Sequence, residues 1–177
     1  MAVPIRTQSQ PVEGTIVFTD IVGFTEFTAT RGDAEALQLL ATQDRLVQSA
    51  LPDTARIVKE LGDGLLLWFP DPVAALHSAF ALHQGFEAES SATGLPLWIR
   101  IGMHHGTALQ RGADLVGHDV NIAARIVEVA APGEVLVSDA VRANVDLSSA
   151  PFCFNEVGSV VMKGIPLPTR LWRATAC

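Results

Sequence analysis

The segment ARIVKELGDGLLLWF limits the chain's folding options more than any other. Two short apolar runs flank Gly62-Asp63-Gly64, and Asp-Gly between apolar strands is the strongest short-range hairpin signal. The spacing predicts strands over ARIVKEL and GLLLWF, with Asp63 exposed at the tip. Its ordinary role there is that of a type I′ turn residue. Upstream, GTIVFTD reads as a strand whose Ile16, Val17 and Phe18 form a short buried run. It ends at Asp20, whose ordinary role is a helix cap or turn. Two carboxylates at strand ends can converge on one hard cation, and two carboxylates plus substrate phosphates are the usual offer to Mg²⁺. Together with the downstream segment DLVGHDVNIAAR, which places Asp114, Asn121 and Arg125 in order, Asp20 and Asp63 suggest a metal-dependent enzyme acting on a nucleoside triphosphate.

The remaining elements set the fold class. GFTEFTATR reads as a short helix. A longer one starts near Asp33, with Ala36, Leu39, Leu40, Leu46 and Val47 near helical spacing. Pro72 opens a helix through VAALHSAFALHQGF, as proline does at a first turn. LWIRIGMHHGTALQ reads as a strand with a turn at Gly106, VNIAARIVEVA as a helix ending before Pro132-Gly133, and EVLVS as a short strand. FCFNEVG, SVVMKG and TRLWRA read as terminal strands with turns between them. This order predicts an α+β sandwich with a mostly antiparallel sheet: a ferredoxin-like βαββαβ core with additional C-terminal strands. With no repeat and no linker-like stretch, one domain over 1–177 is expected.

Composition narrows the function. The chain has 177 residues, long enough for a real core, and 18% of them are charged. No apolar run reaches the ~18 residues of a membrane span. MAVPIRTQSQPVEG lacks an apolar signal core, which predicts a chain that is not secreted. Cys153 and Cys177 show no metal spacing, so a reduced cytoplasmic protein is expected. A net charge of −7 argues against a nucleic-acid polymer as partner. It leaves room for a nucleotide held by a local basic cluster and metal.

Several further residues are candidates. Gly23-Phe24-Thr25 opens a helix just after Asp20, where free backbone N–H groups accept phosphate. Asn121 and Arg125 are spaced i,i+4 and share a helix face. Arg125 can pin a phosphate or simply pair with Glu128. The surrounding helix is apolar nearly all round, which predicts burial and a need for polar partners. Lys59 reads as an edge-strand charge, Asp114 as a residue of the polar turn RGADLVG, and Lys163 as a solvated strand end. Arg100 alternates with Ile99 and Ile101 and so points to the opposite face. His104 and His105 face opposite sides of a strand and cannot share an ion. All five histidines read as structural.

In order along the chain, VFTDIVGFT, KELGDGLLLWF, IRIGMHHG, DLVGHDVNIAARI and MKGIP resemble the catalytic domain of class III nucleotidyl cyclases of the soluble bacterial type. The match runs from about Gly14 to Trp172. The resemblance implies an obligate homodimer with sites at the subunit interface. It implies two divalent metal ions, Mg²⁺ or Mn²⁺, on Asp20, Asp63 and the backbone of Ile21. Gly23, Phe24 and Thr25 would lie under the triphosphate and Arg100 would bind phosphate. The other subunit would supply Lys59 and Asp114 to read the base, Asn121 to orient the ribose, Arg125 to stabilise the reacting phosphate, and Lys163 for the triphosphate. Adenine offers an N1 acceptor and an N6 donor, which Lys59 and Asp114 complement; guanine presents the reverse. The expectation is an adenylyl cyclase acting on ATP. The alternatives are a guanylyl or dual-specificity cyclase and an inactive nucleotide-binding regulatory module.

Overall fold

The computed structural model describes residues 9–94, 97–148 and 150–177. Of the N-terminal stretch read above for a signal core, residues 1–8 lie outside the described residues. The chain begins β1 (Gln10–Ile21), α1 (Phe24–Arg31), α2 (Asp33–Ala50), β2 (Arg56–Leu61), β3 (Gly64–Phe69) and α3 (Pro72–Thr93). It continues β4 (Ile99–Arg111), β5 (Asp114–Val116), α4 (His118–Val129), β6 (Val135–Ser138), α5 (Asp139–Ala143), β7 (Phe152–Val160) and β8 (Thr169–Ala176). One sheet has the order β2-β3-β1-β4-β6-β8-β7, with β5 paired to β4. Every pairing is antiparallel except β4 with β6. The expected ferredoxin-like core is present in β1 through β4, and β6, β8 and β7 extend it.

Strand alternation divides the core between the two faces. Val17 and Ile21 of β1, with Ile99, Ile101 and Met103 of β4, pack with Leu39, Leu46 and Val47 of α2 and Leu76, Leu82 and Phe86 of α3. On the opposite face Ile16, Phe18 and Ala108 meet Val120, Ala123 and Val127 of α4. A second small cluster joins Ile122 and Ile126 to Leu136, Met162 and Leu171. The central strands are thus buried on both sides, which is why β1 reads as a continuous apolar run.

Four details differ from the sequence expectation. There is no turn at Gly106: β4 runs through it to Arg111. A Cβ at Gly106 would lie 2.1 Å from Asp119 Oδ2, so glycine there makes room for α4, not for a turn. The turn comes at Gly112-Ala113, and Asp114 opens the short strand β5 opposite Arg111. FCFNEVG and SVVMKG are not two strands; Phe152–Val160 is one strand with a register shift between Glu156 and Gly158, a bulge instead of a turn. Finally, Cys153 and Cys177 are disulfide-bonded, with Cα atoms 5.3 Å apart, in contrast to the expected free thiols. The β7–β8 register sets Cys153 opposite Thr175, two residues from Cys177, a proximity that sequence spacing does not show. No helix of the described residues is long and apolar enough to cross a membrane.

Candidate active site

Register brings three of the candidate residues together. Asp20, next to last in β1, pairs across the sheet with Arg100, the second residue of β4. Arg100 Nε donates to Asp20 Oδ2 at 2.7 Å, and a second guanidinium nitrogen lies 2.7 Å from the same oxygen. As its alternation predicts, Arg100 points away from Ile99 and Ile101. Its other arm donates to the Glu128 carbonyl at the end of α4, at 3.2 Å.

The hairpin delivers Asp63 to the same place. Leu61 pairs with Gly64, so the loop is two residues long, Gly62-Asp63. Gly62 has φ +72°, and no described non-glycine residue has positive φ. Glycine first with an ordinary residue second is a II′ arrangement, not the expected I′ turn with Asp63 itself at positive φ. Asp63 is also half-buried, not exposed at the tip. The reason lies in the next residue: a Cβ on Gly64 would sit 2.7 Å from the Thr19 carbonyl, so the hairpin end lies directly against β1. Burial, and then the nearby Asp20 charge, hold the Asp63 carboxyl above its ordinary value.

At the end of β1 the chain turns through Gly23, φ +75°, into α1. No side chain caps α1. The backbone N–H groups of its first turn, at Phe24 and Thr25, therefore have no partner within the helix, directly after Asp20 and Ile21. A cavity of about 400 Å³ adjoins this segment, lined by Ile21, Gly23, Phe24, Phe27, Leu97 and Trp98.

The other candidates form separate groups. Lys59 on the edge strand β2 donates to Asp114 Oδ2 at 3.0 Å. That hydrogen bond is the main reason the Asp114 carboxyl is held below its ordinary value. Asn121 and Arg125 share a face of α4, but this face is open. The helix buries Val120, Ile122, Ala123, Ile126 and Val127, so it is amphipathic and not apolar all round. The expected buried polar pair is thus a surface pair. Arg125 Nη1 lies 2.5 Å from Glu128 Oε1, the intrahelical partner anticipated for it. Lys163 is exposed just past β7, in the turn at Lys163-Gly164.

Two residues beside these groups escape a reading by motif. Glu128 bonds Arg125 through its carboxylate and Arg100 through its carbonyl. Gln43 donates from Nε2 to the main-chain carbonyl of Asp63 at 3.2 Å. Its sequence signal is a polar residue within the apolar stripe Ala36, Leu39, Leu46 and Val47. Of the histidines, His104 Nδ1 lies 2.8 Å from Ser138 Oγ and its Nε2 3.5 Å from Asp119. His105 meets Thr15 on the opposite face.

A ferredoxin-like core extended by β6, β8 and β7 is an architecture shared with nucleotide cyclases. The adenylyl cyclase CyaB from P. aeruginosa superimposes with TM-score 0.86 at 22% identity, covering 96% of this chain and 97% of that one. An adenylate/guanylate cyclase/hydrolase from Silicibacter pomeroyi does so with TM-score 0.84 at 26% identity, covering 96% and 100%. The model of the adenylate and guanylate cyclase catalytic domain matches residues 7–173, and the chain belongs to that family. A pH-sensitive adenylate cyclase of Mycobacterium tuberculosis is 31% identical over 176 residues, 95% of this chain and 43% of the relative. The chain thus spans less than half the length of that relative.

Proposed function

We propose that the chain is an adenylyl cyclase catalytic domain, converting ATP to 3′,5′-cyclic AMP and pyrophosphate at sites shared by two copies. Membership of the cyclase family supplies the reaction class. The observation that carries the choice of ATP is the Lys59–Asp114 pair, a donor and an acceptor held 3.0 Å apart. Lys59 donates to adenine N1 and Asp114 accepts from N6. The pair is half-exposed, so giving up the mutual ion pair for base contacts costs little.

The residues at the end of β1 fit a divalent cation. Two carboxylates crowd one half-buried spot, and Asp63 is raised by burial and by Asp20, a conflict that positive charge relieves. Asp20, Asp63 and the Ile21 carbonyl would hold two ions, Mg²⁺ or Mn²⁺. Bound there, the ions supply a more acidic 3′-hydroxyl and charge neutralisation of the triphosphate. Gly23, Phe24 and Thr25 offer N–H groups to phosphate oxygens. Arg100, already fixed by Asp20 and Glu128, adds a positive charge to the same pocket.

The second copy provides the base-reading pair Lys59 and Asp114, Asn121 to orient the ribose, Arg125 to stabilise the reacting phosphate and Lys163 for the triphosphate. The open face of α4 supports this: Asn121 and Arg125 project away from the buried stripe of their own helix. Arg125 must leave Glu128 to serve a phosphate, and an exposed i,i+3 ion pair holds it only weakly. Positioning and electrostatics then supply most of the rate. The test is the purified chain with ATP or GTP and Mg²⁺ or Mn²⁺, scored for cyclic product. Cyclic AMP is expected. Cyclic GTP as the main product would replace ATP by GTP in this reading, and no product with either nucleotide would favour a regulatory module.

A further inference from the structure

We infer that Gln43 of α2 is a positioning residue for the metal site, acting through the backbone of Asp63. The inference rests on the reading of Asp63 as a metal ligand. Gln43 is 2% exposed, in the middle of the apolar face that α2 turns to the sheet. A buried glutamine in an apolar stripe is costly unless its amide is used. Its Nε2 donates to the Asp63 carbonyl, a bond that only the nitrogen end of the amide can make.

The carbonyl belongs to the second residue of a two-residue turn. The turn is fixed at its first residue by the positive φ of Gly62 and at its exit by Gly64 lying against Thr19. Gln43 supplies the third restraint, from behind. Without it the hairpin keeps its strands, but the peptide following Asp63 loses one of its three restraints, and the turn residue that carries the carboxylate is held less firmly. Ligand geometry must be held to about 0.5 Å to be productive. Gln43 touches no substrate and stays far from the chemistry in sequence, yet it sets the angle at which Asp63 faces Asp20.

The experiment measures equilibrium Mn²⁺ binding to the purified chain by electron paramagnetic resonance, beside thermal melting. Gln43→Met keeps length and removes the donor; Gln43→Leu is the second variant in case the first fails to fold. Leu46→Ala, on the same helix face, is the stability control, and Asp63→Ala the metal control. Mn²⁺ affinity should fall about five- to tenfold in the Gln43 variant, the effect of one hydrogen bond. Leu46→Ala should lower the melting temperature at least as much with Mn²⁺ affinity unchanged. Unchanged affinity in a folded Gln43 variant, with Asp63→Ala abolishing binding, would overturn the positioning role and leave the metal reading intact. Equal losses of affinity in Gln43→Met and Leu46→Ala would reduce Gln43 to a packing residue. Binding unaffected by Asp63→Ala would overturn the metal reading and this inference with it.

Discussion

The end of β1 and the open face of α4 differ in how their polar residues are used. At β1, Asp20, Asp63 and Arg100 are locked by strand register, by a two-residue turn and by mutual charge. On α4, Asn121 is held by its place on the helix, and Arg125 pairs with an exposed neighbour, Glu128. The first arrangement is complete within one chain and strained by two like charges. The second is displayed toward whatever lies outside. On the proposed reading, a site that needs both is rigid where ions would be gripped and open where a second copy would close it.

The largest effect should come from breaking the rigid half. Asp20→Ala or Asp63→Ala should cut cyclic-nucleotide production by orders of magnitude, with circular dichroism unchanged because neither side chain is part of a buried cluster. Near-normal Mn²⁺-dependent turnover in either variant would refute the metal assignment. Removal of divalent ions by a chelator should have the same effect on the wild-type chain, reversed on adding Mn²⁺.

A smaller effect is expected from reversing the base contacts. Lys59→Glu with Asp114→Cys inverts the pattern of donors and acceptors, and a site that pairs with a base through hydrogen bonds rejects the base that leaves those groups unpaired. The ATP:GTP ratio of kcat/KM should move toward GTP. An unchanged ratio would show that the pair serves the β2–β5 contact and not the base.

Much of this contrast was legible in the sequence. The two aspartates, the Asp-Gly hairpin, the inverted face of Arg100 and the i,i+4 pair on α4 follow from period-2 and period-3.6 patterns and turn chemistry. What was not legible depends on packing across elements. The II′ turn and the burial of Asp63 arise because Gly64 lies on the Thr19 carbonyl, a contact between strands distant in sequence. The continuation of β4 through Gly106 depends on an aspartate of α4 needing the space of a side chain. The burial of one face only of α4 could not be read from a helix in which alanines occupy both faces. The Cys153–Cys177 bond follows from a β7–β8 register that nothing local announces.

The smallest effect concerns how α4 is fastened to the sheet. Asp119, in its first turn, accepts from the Thr107 backbone at 2.7 Å and faces His104, which bonds Ser138. Burial lowers the His104 pKa from its ordinary 6.5; Asp119 opposes this, and His105 and His118 add to it. A lowered folded-state pKa means that the unfolded chain binds the proton more readily. The contribution is therefore intact above about pH 6.5 and is lost as pH falls below it, through the folded-state value. His83, also lowered by burial, acts in the same direction. The melting temperature should drop between pH 7.5 and 5.5, and His104→Gln should make that drop smaller. An equal drop in His104→Gln and wild type would show that the α4 fastening does not titrate.

The central claim is that the rigid half and the open half of one site come from different copies. Asp63→Ala and Arg125→Ala homodimers should each be inactive, and mixing them tests the claim directly. With free exchange half the dimers are mixed, and each mixed dimer has one intact site, so activity should return to about a quarter of wild type. If each site lies within one chain, no chain in the mixture holds both residues. An inactive mixture, with subunit exchange confirmed by mass spectrometry of differently tagged copies, would contradict the account.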